Sequence, residues 1–243
     1  MGNRILAFRV RLFLMLLVVF PFAVHSQSIM VGDIEISPHD FSAKLDPEQR
    51  IAKCLSCHGL KAGGDIDFGP DVRFGTPALR GMTEQYLKES LIAYQTGTRT
   101  HKEMSPIAAM LDRETMNFMA YSFAAYPPQP MKEADDLAAL AEEDALFRHG
   151  QTIARQGISQ HGIPACVVCH GALGEGSAVG PRLAGQNATY IESQFKAFAS
   201  GSRQTEHSAP MQPVATGLTD DDIKAAAHYY ESLSVTNFDG QSE

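Results

Sequence analysis

Two segments of the chain decide its fold: Cys54-Leu-Ser-Cys57-His58 and Cys166-Val-Val-Cys169-His170. Together they contain all 4 cysteines among the 243 residues. Each segment is followed by the same series of motifs: Pro-x-Leu-x-Gly, a tyrosine, Gly-x-Arg and Met-x-Pro. These motifs are Pro77–Gly81, Tyr86, Gly97–Arg99 and Met104–Pro106 in the first half, and Pro181–Gly185, Tyr190, Gly201–Arg203 and Met211–Pro213 in the second. The chain is therefore a duplication of a unit the size of a small domain.

The spacing Cys-x-x-Cys-His is the attachment signature of a c-type heme. The two thiols can form thioethers with one edge of a porphyrin, and the histidine that follows can bind the iron. We therefore predict two covalently bound hemes c. The attaching cysteines are Cys54, Cys57, Cys166 and Cys169, and the proximal iron ligands are His58 and His170.

Three other uses of paired cysteines fit less well. A zinc site would need a defined second pair of ligands close to the first. A thioredoxin-like redox site would need a βαβ context, which the sequence does not indicate. Structural disulfides are open to an exported protein, but cysteine pairs at this spacing are usually redox-active or ligating.

The sixth iron ligand is predicted to be Met104 in the first half and Met211 in the second. Both belong to the repeated Met-x-Pro motif, and a thioether is a soft ligand that favours ferrous iron. His101 and His207 are the alternative ligands, but their positions do not correspond in the two halves. Core packing is instead expected of the methionines in or near the last predicted helix of the first half, which are Met110, Met116 and Met119.

Pro77 and Pro181 are predicted to act on the iron-binding histidines. A carbonyl oxygen beside the heme can accept a hydrogen bond from the histidine ring nitrogen that faces away from the iron, which fixes the tautomer. The interval from histidine to proline is 19 residues in the first half and 11 in the second. The first half is therefore predicted to carry a loop insertion around Gly63–Gly69.

Both halves show helix signals and no convincing strand. Asp46-Pro47-Glu48 is typical of a helix start and should lead into Cys54. The matching helix of the second half should run from Glu142 to about Gln156. N-caps are predicted at Thr83, Asp112, Asn187 and Thr219, C-terminal glycines at Gly97 and Gly201, and the ends of the last helices near Tyr126 and Leu233.

The N-terminal residues are typical of an export signal. Arg4, Arg9 and Arg11 precede the apolar run 12–24, and small residues then lead to a predicted cleavage after Ser26. An uncleaved anchor is the alternative, but the 13-residue run is short for a membrane span, which needs about 20 residues. We therefore expect a periplasmic protein with at most peripheral membrane association.

The remaining chain is expected to form two domains, at 27–128 and 142–243. Pro127-Pro-Gln-Pro130 and the acidic stretch after it indicate a linker over 129–141. Removal of residues 1–26 leaves 17 basic and 28 acidic side chains, a net charge of −11. Residues 131–243 hold 7 basic and 15 acidic groups. Such a surface argues against nucleic acid as a partner and serves either solubility or docking of a redox protein.

These motifs resemble the diheme class I cytochromes c, and among them the cytochrome c4 family. The resemblance covers the chain after residue 26, through Cys-x-x-Cys-His-Gly, Pro-x-Leu-x-Gly, Gly-x-Arg and Met-x-Pro in both halves. The second half, with Gln186 and Gln194, matches more fully than the first, which departs at Met82 and at the insertion. The family implies an all-α fold of two tandem domains, each wrapped around one heme, with the hemes near the interface. It also implies electron transfer in the periplasm, often to a terminal oxidase.

Two classes of function remain. In the first, the protein is an electron carrier without catalytic residues, whose partners are respiratory redox proteins. In the second, it is the heme subunit of a periplasmic dehydrogenase complex or a diheme peroxidase. A peroxidase needs an open iron and usually a group that relays electrons, and the chain contains no tryptophan. A dehydrogenase subunit would have the same sequence features as a free carrier, so we favour the carrier and leave the subunit open.

Overall fold

The computed structural model describes residues 28–31, 34–41, 45–58, 75–128 and 130–234. The predicted signal segment and the insertion around Gly63–Gly69 lie outside these residues. The described part is mostly helical, with ten α-helices, which confirms the all-α prediction. Within it, no helix is both long enough and apolar enough to cross a membrane.

The first half contains a short hairpin and four helices. The strands β1 (Ile29–Val31) and β2 (Ile34–Ile36) pair antiparallel. The helices are α1 (Pro47–His58), α2 (Glu84–Thr96), α3 (Met104–Ala109) and α4 (Arg113–Ala125). The hairpin contradicts the expectation of no strand, because strands of three residues are too short to show a period in sequence. Buried Ile36 joins the core that contains Met116 and Met119, so packing stabilises the pair.

The second half repeats the arrangement with a larger core. Its helices are α5 (Ala134–Glu143), α6 (Ala145–Gln156), α7 (Val167–His170), α8 (Ala188–Ser200), α9 (Met211–Gly217) and α10 (Asp220–Ser232). Each predicted N-cap accepts a backbone hydrogen bond, at Thr83, Asp112, Asn187 and Thr219. Gly97 and Gly201 end their helices in the left-handed conformation, where glycine carries no Cβ penalty.

The segment expected to be a linker is helical over most of its length. Leu137 and Leu140 of α5 pack against the core of the second half, and the exposed acidic residues occupy the rest of the helix. The helix predicted from Glu142 begins instead at Ala145, because Asp144 is its N-cap and accepts from two backbone amides. The segment is an amphipathic helix, which its acidic composition does not indicate in the sequence.

Helices α6 and α10 cross at very close range in the second half. A Cβ added to Gly150 of α6 would lie 2.6 Å from the Cβ of Tyr229 and closer still to the carbonyl oxygen of Ala225. Two histidine–aspartate contacts flank this crossing, from His149 Nε2 to Asp222 at 2.9 Å and from His228 Nε2 to Asp144 at 2.6 Å. Each aspartate lies at the start of one helix and binds a histidine of the other.

We expect Gly150→Ala to destabilise the second half by about 1–3 kcal/mol or more, because the added methyl group forces the two helices apart. Denaturant unfolding followed by far-UV circular dichroism measures the loss. Gly217→Ala is the control, since its Cβ would come no closer than 3.3 Å to the side chain of Ile163 and 3.9 Å to the carbonyl oxygen of His161, and its free energy of unfolding should change by less than about 1 kcal/mol. Equal stability of both variants would contradict the close crossing.

The two halves contact each other through corresponding residues. Arg99 and Arg203, which end the two Gly-x-Arg motifs, form an antiparallel backbone bridge. Gln186 reaches across the interface, where its Oε1 accepts from the amide of Ala78 at 2.8 Å and its Nε2 donates to the carbonyl of the same residue at 3.0 Å. The two halves, each with one Cys-x-x-Cys-His segment, therefore meet at an interface that includes residues of the repeated motifs.

Candidate functional site

Both Cys-x-x-Cys-His segments end at the C-terminus of a helix and present a buried histidine. His58 is the last residue of α1 and His170 the last residue of α7. Nδ1 of His58 lies 2.8 Å from the carbonyl oxygen of Pro77, and Nδ1 of His170 lies 2.8 Å from that of Pro181. A carbonyl only accepts, so Nδ1 carries the proton and Nε2 keeps a free lone pair for a metal.

Burial also keeps these rings neutral. It lowers the pKa of both histidines, against the opposite effect of their backbone hydrogen bonds to Pro77 and Pro181. In the first half, the nearby ring of His101 lowers the pKa of His58 further. A neutral imidazole is the form that binds iron.

All four cysteines are free thiols. Burial, followed by the neighbouring Cys57, raises the pKa of Cys54 to about 12, and burial raises the pKa of Cys166. Among the described residues, no group of three or more His, Cys, Asp and Glu side chains could hold a metal ion. Each segment therefore offers two thiols and one histidine to a cofactor.

Met104 and Met211 occupy matching places. Met104 is the first residue of α3 and Met211 the first residue of α9, and both are half-buried. The alternative ligands differ from each other: Nδ1 of His101 pairs with Glu103 at 3.1 Å, whereas the exposed His207 pairs with Glu89 of the other half at 3.2 Å. The methionines, and not these histidines, repeat in both sequence and structure.

Three other methionines of the first half belong to its core or pack against it. Met116 and Met119 are buried, and Met110 packs against them, as predicted from their helix. The sulfur of Met119 also lies 3.9 Å from that of Cys54. This contact places one methionine of α4 directly beside the attachment segment.

A buried cluster of arginine and tyrosine side chains joins the two halves, and sequence reasoning missed its role. Arg99 donates to Tyr190 and to Gln194 Oε1, each at 2.7 Å. Arg203 donates to the same Gln194 oxygen at 2.8 Å and to Tyr86 at 3.2 Å. Each arginine thus binds the tyrosine of the opposite half. The repetition of Gly-x-Arg and of the tyrosine was the available signal.

The charges of this cluster fit a cofactor that brings its own carboxylates. Arg99 and Arg203 are only 4% and 8% exposed, and the partners just described are two phenols and an amide, with no carboxylate among them. The buried Nε of Arg203 has no hydrogen-bond partner in the described part of the chain. Although burial raises the pKa of Tyr86, the two guanidinium groups lower it overall. Two buried cations need anions, and the propionates of a heme are suited to them.

A second buried polar atom without a hydrogen-bond partner among the described residues lies at the attachment segment of the second half. The hydroxyl of Tyr230 in α10 is buried and makes no hydrogen bond of ordinary geometry with any described residue. After burial, the thiol of Cys166, the first attaching cysteine of the second half, contributes most to raising the pKa of Tyr230. Two covalently attached hemes fit this set of groups, which consists of the two histidines, the four thiols, the arginine cluster and the Tyr230 phenol.

Comparison with known proteins agrees with this geometry. The profile of the Cytochrome c family matches residues 48–142 and 148–234. The chain is 34% identical over 181 residues to a thiosulfate dehydrogenase electron acceptor of Stutzerimonas stutzeri, covering 74% of this chain and 78% of that one. A protein of the same name from Thiomonas intermedia is 36% identical over 189 residues, with coverages of 77% and 80%. The structure of cytochrome c4 from Acidithiobacillus ferrooxidans matches with a TM-score of 0.61 at 30% identity, covering 75% of this chain and 99% of that one.

Proposed function

The chain belongs to the cytochrome c family, and we propose that it accepts electrons from a thiosulfate dehydrogenase and passes them to a respiratory partner. It is a diheme electron carrier with two covalently bound hemes c. The similarity over three quarters of the chain to two electron acceptors of thiosulfate dehydrogenase carries the choice of donor. The protein would take up two electrons, one at each heme, and release them one at a time.

The proposed iron ligands are His58 and Met104 in the first half, and His170 and Met211 in the second. The heme supplies an iron that changes between ferric and ferrous by one electron. The carbonyls of Pro77 and Pro181 hold each imidazole in the tautomer that binds iron. With these histidine and methionine side chains on its two faces, each iron would have no position for a substrate, and the protein would only transfer electrons.

The proposed site of action is the periplasm. Three arginines followed by the apolar run 12–24 support export. Covalent heme attachment through two thiols suits such an exported carrier, because it keeps the cofactor bound where free heme cannot be replaced. We favour a carrier that diffuses freely between a dehydrogenase and an oxidase. The alternative is a permanent complex with the dehydrogenase.

The test of this function is reduction of the purified protein by a thiosulfate dehydrogenase in a stopped-flow spectrometer. We expect thiosulfate-dependent reduction of both hemes. If the acidic surface docks the donor, the rate should fall as salt rises, since charges are screened beyond about 8 Å at physiological ionic strength. No reduction by the enzyme would reject the donor, while a rate independent of salt would assign the charge to solubility.

Charge variants locate the docking surface. Glu142 and Glu143 end helix α5 and are exposed, so Glu142→Gln with Glu143→Gln should slow reduction at low salt and flatten its salt dependence. The matched control changes the exposed Glu48 and Glu114 of the first half to Gln, which removes the same charge elsewhere. Equal effects of the two pairs would indicate an effect of net charge and no local docking.

A further inference from the structure

We propose that the hydroxyl of Tyr230 raises the reduction potential of the second heme and so helps to set the order in which the two hemes hold electrons. The proposal depends on the two hemes of this family. It does not depend on which enzyme donates the electrons, so its test needs no partner protein. A buried phenol lies at the second attachment segment, and the first segment lacks one.

Tyr230 is held in one position by the second half. Its side chain is 2% exposed, and its ring lies 5.1 Å from that of Tyr229. A Cβ added to Gly174 would lie 2.6 Å from the Cε1 atom of Tyr230, so the loop after His170 closes directly over the ring. The phenol therefore cannot turn away from the attachment segment into water.

A polar neighbour of this hydroxyl is the sulfur of Cys166, which becomes a thioether sulfur when heme is attached, and Cys166 packs against the core cluster that contains Tyr230. The phenol lies close enough to act on the pKa of the Cys166 thiol, which it lowers against the larger, opposite effect of burial. The contact nevertheless falls short of ordinary hydrogen-bond geometry. A buried hydroxyl without a partner is costly, so the O–H group is expected to point at this sulfur.

The first half has a hydrocarbon at the corresponding place. Tyr230 follows the N-cap Thr219 by the same interval, eleven residues, at which Phe123 follows the N-cap Asp112. Phe123 is buried in the cluster that contacts Cys54. At this one position, therefore, the surroundings of the two attachment segments differ by a hydroxyl group.

The sign of the effect follows from the direction of the dipole. An O–H group that points at a sulfur bonded to the porphyrin stabilises additional electron density on the cofactor, and so favours the ferrous state. Low dielectric surroundings strengthen this interaction relative to water. The hydroxyl should therefore raise the potential of the second heme and leave the first unchanged.

We expect Tyr230→Phe to reduce the equilibrium constant for reduction of the second heme about threefold to tenfold, which is about 30–59 mV for one electron. Spectroelectrochemical titration gives both potentials, and NMR of the ferric protein assigns each to its heme. Tyr229→Phe is the control, because that phenol interacts with Arg155 as well as lying near Cys166, and the same titration should show a smaller change. The first heme should keep its potential in both variants.

The reverse change tests the proposal independently of any folding defect in Tyr230→Phe. Phe123→Tyr places a hydroxyl beside Cys54 and should raise the potential of the first heme. The proposal is overturned if Tyr230→Phe retains two hemes with unchanged potentials, or if both potentials shift equally. If Tyr230→Phe does not retain two hemes, the Phe123→Tyr variant decides: an unchanged first potential rejects the proposal.

Discussion

Replacing both Cys166 and Cys169 by Ala is expected to leave a protein with one covalently bound heme in place of two. The thioethers are the bonds that keep heme attached through denaturation, and the second half has no other cysteine. Mass spectrometry of the denatured chain should show a loss equal to one heme. The heme absorbance per polypeptide should fall by about half, and acid acetone should not extract the heme that remains.

The same change in the first half, at Cys54 and Cys57, should remove the other heme. Ser56→Ala is the matched control, because Ser56 lies between those cysteines and cannot form a thioether; its hydroxyl donates to the carbonyl of Lys53 at 2.7 Å and lies 3.9 Å from the sulfur of Cys57. It should retain two hemes. Two hemes in either double variant, or one heme in the unmutated protein, would contradict attachment at both segments.

Local chemistry explains why most helix boundaries could be predicted. Thr83, Asp112 and Asn187 each accept from a backbone amide three residues ahead, so the whole interaction is contained in a short stretch of sequence. Thr219 and Asp222 form a reciprocal capping box of the same kind. Such contacts form wherever these residues open an apolar periodic segment, and the sequence pattern therefore predicts them.

Tertiary packing explains what could not be predicted. Helix α5 forms where its Leu137 and Leu140 find the core of the second half, which the acidic composition of the segment does not reveal. The arginine cluster depends on pairs such as Arg99 with Tyr190 and Arg203 with Tyr86, which are separated by 91 and 117 residues. Repetition marked these residues, but only the fold shows that each binds the opposite half.

Replacing Met104 by Ala should free one coordination position on the first iron, and replacing Met211 by Ala should do the same on the second. This is the most direct test of the electron-carrier function. The unmutated ferrous protein should be low-spin and should not bind carbon monoxide at neutral pH, because the proposed histidine and methionine ligands would occupy both faces of each iron. Each variant should bind one equivalent of carbon monoxide. The potential of the affected heme should fall, since the lost thioether favours ferrous iron.

Two core methionines provide the control. Met116 is buried at 2% exposure, and Met110 packs beside it. Met116→Ala should cost about 2–5 kcal/mol of stability through the cavity it creates. Neither it nor Met110→Ala should allow carbon monoxide to bind. A variant that is less stable but still does not bind carbon monoxide has lost a packing residue and not an iron ligand.

The same experiment discriminates between methionine and histidine as the sixth ligand. If His101 bound the first iron, Met104→Ala would leave that iron closed, whereas His101→Ala would open it. His101 lies near His58 and therefore needs this direct comparison, while His207 is exposed and paired with Glu89. Stoichiometric carbon monoxide binding to the unmutated protein would reject the closed carrier altogether. An iron with a free face could meet a substrate, and the protein would then have to be considered an enzyme.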